Sequence, residues 1–187
     1  MDALLTSLVA CFLAEWGDKT QLIVALLAAR YGRSATILAG LLLAAIASSV
    51  VAAIAGALIA ETITIRALSL LVALSLLFAG AAGLIRRRPP SIGSGKAPLI
   101  VSAFILCLAA EIGDRSQFFT FALAARFDSA ALAAAGSAAG ILAACIPAAL
   151  LGDKFATVVP VRAIRYSAAG LFLVIGFIVA VKALQIA

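Results

Sequence analysis

Four carboxylates stand in the middle of long apolar stretches, and they come as two copies of one pattern. Glu15-Trp16-Gly17-Asp18-Lys19-Thr20-Gln21 recurs as Glu111-Ile112-Gly113-Asp114-Arg115-Ser116-Gln117, 96 residues further along. On a continuous helix, residues three apart differ by about 300° round the axis, so Glu15 and Asp18, or Glu111 and Asp114, project from one face and can hold one ion together. Gln21 and Gln117 follow on the same side, where an amide oxygen could join the site or orient its ligand. Thr20 and Ser116 fall on another face and are expected to bond to backbone carbonyls. Gly17 and Gly113 let a second backbone approach closely, or let the helix loosen so that its carbonyls become ligands.

The donor set limits the ligand. Histidine is absent, which removes the commonest metal ligand and the commonest proton carrier near neutral pH. Four ionised carboxylates carry −4, Lys19 and Arg115 return +2, and the remaining −2 matches one divalent cation. An all-oxygen site suits Mn²⁺, Ca²⁺ or Mg²⁺ better than Zn²⁺ or Cu²⁺. Burial and crowding of like charge let protons compete for the same carboxyls when metal leaves, which is the physical basis of antiport. The bland reading is two ion pairs at i,i+4, Lys19 with Glu15 and Arg115 with Glu111, fixing helix packing; it leaves both aspartates without a partner. Cys11 and Cys107 lie four residues before the glutamates and share their face. With Cys145 they stand in apolar stretches, where a thiol usually packs as a small hydrophobe, and no disulfide is expected.

The elements that must carry these groups are membrane spans. With 66% hydrophobic residues, 12% charged residues and a mean hydropathy of +1.25 over 187 residues, the chain is far more apolar than a water-soluble domain. The same figures exclude a disordered or nucleic-acid-binding protein, and the net charge of +6 reads as membrane topology. A span needs about 20 apolar residues, and apolar runs predict six helices, near 3–29, 34–60, 65–85, 98–125, 129–151 and 162–186, joined by tight turns except at the middle. The four carboxylates then lie near the bilayer centre. A central aspartate costs about 2.5 to 3.5 kcal/mol even on insertion-based scales, so intramembrane acids mark a functional site by default.

The middle is a basic linker rich in proline, glycine and serine, from Arg86-Arg87-Arg88 to Pro98. It divides the chain into a first three-helix repeat (1–88), a linker (89–97) and a second repeat (98–187). The 96-residue register also aligns Cys11 with Cys107, Gly40 with Gly136, Gly56 with Gly152, Arg66 with Arg162 and Gly80 with Gly176. Three spans per repeat is an odd number, so the second repeat enters the membrane inverted, an architecture that puts binding sites at the repeat interface near the midplane. With the N-terminus outside, inner segments carry nine basic residues (Arg30, Arg33, Arg86, Arg87, Arg88, Lys96, Lys154, Arg162, Arg165) and outer segments three (Arg66, Arg126, Lys182). Both termini are therefore expected outside the cytoplasm. The opening Met1-Asp2-Ala3 lacks a basic leader, so the first span is expected to be retained.

The doubled motif Glu-x-Gly-Asp-(Lys/Arg)-(Ser/Thr), at Glu15 to Thr20 and Glu111 to Ser116, resembles the signature of the Gdt-one, or transmembrane-protein-165, family. The resemblance covers essentially the whole chain. It implies six core helices in two inverted halves that exchange Mn²⁺ or Ca²⁺ for protons, with bacterial members exporting manganese. It also implies that Glu15, Asp18, Glu111 and Asp114 bind the cation, with Lys19, Thr20, Arg115 and Ser116 in support. The expectation is therefore an all-α integral membrane protein of the bacterial inner membrane. It is not an enzyme and has no cofactor beyond the transported cation and protons. No phosphate-binding Gly-x-x-x-x-Gly-Lys-(Ser/Thr) loop is present, so an ion gradient must drive it. Two other readings compete: a proton-coupled exporter of a small organic solute such as an amino acid, and, remotely, an intramembrane aspartyl protease using Asp18 and Asp114.

Overall fold

The computed structural model describes residues 1–85 and 97–184, and these are helical, with no strand among the described residues. The Arg86–Lys96 segment, with the three consecutive arginines and most of the linker, lies outside the described residues. In chain order the elements are α1 (Asp2–Glu15), α2 (Lys19–Tyr31), α3 (Ser34–Ala60), α4 (Ile65–Leu84), α5 (Leu99–Glu111), α6 (Arg115–Phe127) and α7 (Ala130–Leu151). A 3₁₀ turn (Gly152–Lys154), α8 (Phe155–Val158) and α9 (Val161–Leu184) complete the chain.

Four helices are long and apolar enough to cross a membrane: α3, α4, the stretch Ala130–Val158, and α9. Their ends follow from local chemistry. Thr64 caps α4 by accepting the Ala67 N–H, and Pro160 precedes α9, both ordinary helix-start signals. α2 closes on Gly32 in the left-handed region (φ 63°), and α6 closes at the equivalent position on Asp128 (φ 48°). The connection after α7 is longer than the tight turn expected, because the 3₁₀ turn and α8 fill it.

The continuous helices expected over 3–29 and 98–125 are each broken in two. Gly17 and Gly113 both take φ 72°, a left-handed conformation that a helix cannot pass through. Trp16 and Ile112 turn extended with ψ 119°, and Asp18 and Asp114 are extended N-caps of the next helix. Periodicity reads straight through these three residues because the flanks are apolar on both sides.

Each broken helix lies against the long helix of the other half: α1 and α2 on α7, α5 and α6 on α3. α4 pairs with α9. Glycine permits the first two contacts. A Cβ at Gly136 in α7 would collide with the Leu4 carbonyl oxygen of α1, and one at Gly40 in α3 would sit 2.7 Å from the Ile100 carbonyl oxygen of α5. Backbone approach of this kind is how helices pack where no hydrophobic effect drives them together. The two broken segments are thereby held side by side, with their gaps toward each other.

Candidate functional site

A broken helix exposes unpaired backbone groups at its middle, and the motif residues take them up. The Gly17 N–H donates to Gln21 Oε1 (2.8 Å), and the Gly113 N–H donates to Gln117 Oε1 (2.8 Å). Asp18 Oδ1 accepts the Lys19 N–H (2.6 Å) at the start of α2, satisfying a donor that the helix leaves orphaned. Gln21 is wholly buried, and its Nε2 donates to the Ala144 carbonyl of α7 (2.7 Å), whereas Gln117 is half-buried and reaches Ser48 Oγ of α3 at 3.4 Å.

Around these two gaps the acids gather. Glu15 ends α1 and Glu111 ends α5, while Asp18 and Asp114 begin α2 and α6, so the shared helix face expected for each pair gives way to placement on either side of a gap. All four acids and Arg115 are buried. Glu15, Asp18, Glu111 and Asp114 lie within electrostatic reach of one another and of Arg115. The supporting residues bond differently from expectation. Thr20 Oγ1 donates to Glu111 Oε1 and Ser116 Oγ to Glu111 Oε2, both at 2.8 Å, in place of backbone carbonyls. The cause is tertiary: packing of the opposite half brings Thr20 to a carboxylate 91 residues away. Arg115 does not pair with Glu111. Its Nε donates to Asp18 Oδ2 at 2.8 Å, and its Nη2 reaches the same oxygen. Lys19 is exposed, so neither i,i+4 pair of the bland reading forms.

Glu15 stands apart. Both of its carboxylate oxygens are buried without a hydrogen-bond partner among the described residues. Such a group is costly unless a cation or a proton satisfies it. Among the described residues no three His, Cys, Asp or Glu side chains draw together tightly enough to hold a metal ion in this conformation.

The two gaps differ in exposure. Trp16 and Gly17 are buried, and a Cβ on Gly17 would press on Val161 Cγ1 (3.0 Å) and Arg165 Cδ (3.1 Å) of α9. Ile112 is 68% exposed and Gly113 has open space around it. Gly113, Asp114 and Gln117 line a cavity of about 670 Å³ between α3, α4 and α6, walled by Phe78, Phe118 and Phe121. Arg165 was counted in the sequence only as a topology charge. It is buried behind Gly17, with its guanidinium over the Tyr166 ring; its lack of a basic counterpart at Ser69 in the first half was the available signal. Cys11 packs against α6, its Sγ 3.6 Å from the Ser116 carbonyl oxygen, and all three thiols are buried and unlinked.

Comparison with known proteins assigns a family to this geometry. The family model described as "Divalent cation/proton antiporter GDT1" matches residues 3–90 and again 99–187, one match for each half. A Vibrio cholerae serotype O1 protein named "Putative manganese exporter" is 36% identical over 177 residues, covering 92% of this chain and 88% of that protein. No solved structure matches the chain. With both halves matched and almost nothing outside them, this chain belongs to the GDT1 family of divalent cation/proton antiporters, membrane transporters and not an enzyme family.

Proposed function

We propose that the protein exports Mn²⁺ from the cytoplasm in exchange for protons, with Ca²⁺ as the second candidate cargo, across the bacterial inner membrane. The observation that carries this reading is Glu15: a carboxylate with both oxygens buried and unpartnered, beside three further acids. Asp18 and Asp114 lie within electrostatic reach of each other with Arg115 on Asp18, and in such a cluster a departing cation leaves acids that a proton can neutralise. Cation and proton therefore satisfy the same oxygens in turn, which is what obligatory exchange requires. Glu15, Asp18, Glu111 and Asp114 are the proposed cargo ligands. Gln21 and Gln117 close the gaps at Gly17 and Gly113 and offer their remaining oxygen lone pair to the site.

The broken helices support six spans in two inverted repeats. At about 1.5 Å per residue, α1, α2, α5 and α6 are each near 20 Å long, too short for a hydrocarbon core of about 30 Å. Joined end to end, α1 with α2 and α5 with α6 each cross, which adds two spans to the four long ones. The C-terminal ends of α1 and α5 then bring negative partial charge to the midplane, where discontinuous helices of transporters receive cations. Rocking of one repeat against the other would alternately open the Gly113 side, lined now by the cavity, and the Gly17 side, sealed now by Val161 and Arg165. The excess of basic residues on the expected inner segments supports termini outside the cytoplasm. The Vibrio relative's name supports manganese, and all-oxygen donors suit it.

The test is uptake of Mn²⁺ or Ca²⁺ into proteoliposomes that hold a pH-sensitive dye. Metal flux is expected to move protons in the opposite direction, with Mn²⁺ the faster cargo, and Glu15→Gln or Asp114→Asn is expected to silence both fluxes. Normal transport by those variants, or metal movement without proton movement, would refute the reading.

A further inference from the structure

The guanidinium of Arg115 crosses from the first residue of α6 to the N-cap of α2 and binds a carboxylate of the opposite half. Its Nε and Nη2 converge on Asp18 Oδ2 while Oδ1 accepts the Lys19 N–H, so both oxygens of Asp18 carry a donor and Oδ2 carries two. The remaining nitrogen, Nη1, lies beside Gly83 of α4, where a Cβ would stand 3.5 Å from it. Arg115 is buried, 3% exposed. The Lys19 side chain holds the same motif position in the first half and is exposed. The ion pair is thus made by one copy of the motif and not by the motif as such.

We propose that Arg115 is a tethered counter-cation that takes the cargo's place at Asp18, and that the cargo metal binds by displacing it. This rests on the reading of Asp18 as a cargo ligand. A metal ion on Asp18 needs an oxygen at about 2.0–2.6 Å, and with Nε and Nη2 both on Oδ2 neither lone pair of that oxygen is open, so a metal taking it must displace the guanidinium. Arginine suits the task because it stays charged at every physiological pH and binds carboxylates through a planar fork. When metal leaves, the guanidinium returns and keeps Asp18 neutralised. Arg115 is therefore a positioning residue that sets cargo affinity without coordinating the cargo.

The test is equilibrium Mn²⁺ binding to the purified full-length protein in detergent. Wild type is expected to bind and Glu15→Gln is not; absence of binding by wild type would overturn the functional reading itself. Against a wild type that binds, Arg115→Gln is expected to bind Mn²⁺ at least about tenfold more tightly, since a charge-assisted competitor has been removed. Binding equal to or weaker than wild type would overturn this inference alone. Arg115→Lys keeps the charge and loses the fork. It is expected to bind between the two and decides the matter if Arg115→Gln does not fold. In an Asp18→Asn background the gain from Arg115→Gln is expected to vanish, because nothing is left to compete for. A gain that persists there, or that Lys182→Gln reproduces, would mean general relief of positive charge and would also overturn the inference.

Discussion

Replacing Gln21 by leucine separates two roles that a motif glutamine can play, brace or ligand. Gln21 accepts the Gly17 N–H and donates to the Ala144 carbonyl, and it is wholly buried. Leucine fills similar space and can do neither. The Gly17 N–H is then orphaned in a dry site at about 1–3 kcal/mol, and the lost bond to Ala144 adds about 0.5–1.5 kcal/mol, so the expected cost is roughly 3 kcal/mol. Gln117→Leu is the internal control: its Gly113 N–H faces open space, and its second bond to Ser48 is long at 3.4 Å. There water replaces the acceptor and the cost is about 0.5–1 kcal/mol. At about 2–4 °C per kcal/mol for a chain of this size, metal-free thermal unfolding in detergent should fall by about 6–12 °C for Gln21→Leu and by about 1–4 °C for Gln117→Leu. Equal shifts would mean that the two glutamines do not differ as braces. A Gln21→Leu protein with an unchanged midpoint that loses only Mn²⁺ binding would also overturn this expectation, because that result makes the side chain a ligand and not a brace.

Other outcomes follow from the same geometry. Gly113→Ala places an L-residue at φ 72° with open space around it and should cost about 1–2 kcal/mol; Gly17→Ala adds contacts of 3.0 and 3.1 Å to Val161 and Arg165, and its unfolding midpoint should be clearly the lower of the two. Gly136→Ala drives a methyl into the Leu4 carbonyl and should leave little folded protein by size-exclusion chromatography. Gly170→Ala meets nothing within 4 Å and should be neutral or stabilising by up to about 1 kcal/mol. Loss of coupled transport in Glu15→Gln and tighter Mn²⁺ binding in Arg115→Gln are the two functional outcomes to set beside these stability measurements.

Much of the architecture was legible before any coordinates. α3 falls at Ser34–Ala60, the span expected, because Arg33 and Glu61 bracket an unbroken apolar run. The duplication was legible because motif, thiol and glycine positions repeat in one register. The glycines at the gaps raised the possibility of a loosened helix. They did not decide it, since a mid-helix glycine in an apolar span more often serves close packing.

Hydropathy, repetition and charge are local properties of the chain, so its membrane setting, the repeated motif and the acids of the candidate site could be read from the residues alone. How those acids are engaged depends on packing between distant segments. Glu111 receives Thr20 from the other half, Asp18 receives Arg115 from the other half, and Glu15 receives neither. Those partners are separated by 91 and 97 residues, and glycine contacts seat α1 on α7 and α5 on α3. Local spacing could propose only neighbours at i,i+3 and i,i+4. The left-handed glycine turn interrupts the periodicity on which such spacing depends, and packing between the halves supplies the partners in its place.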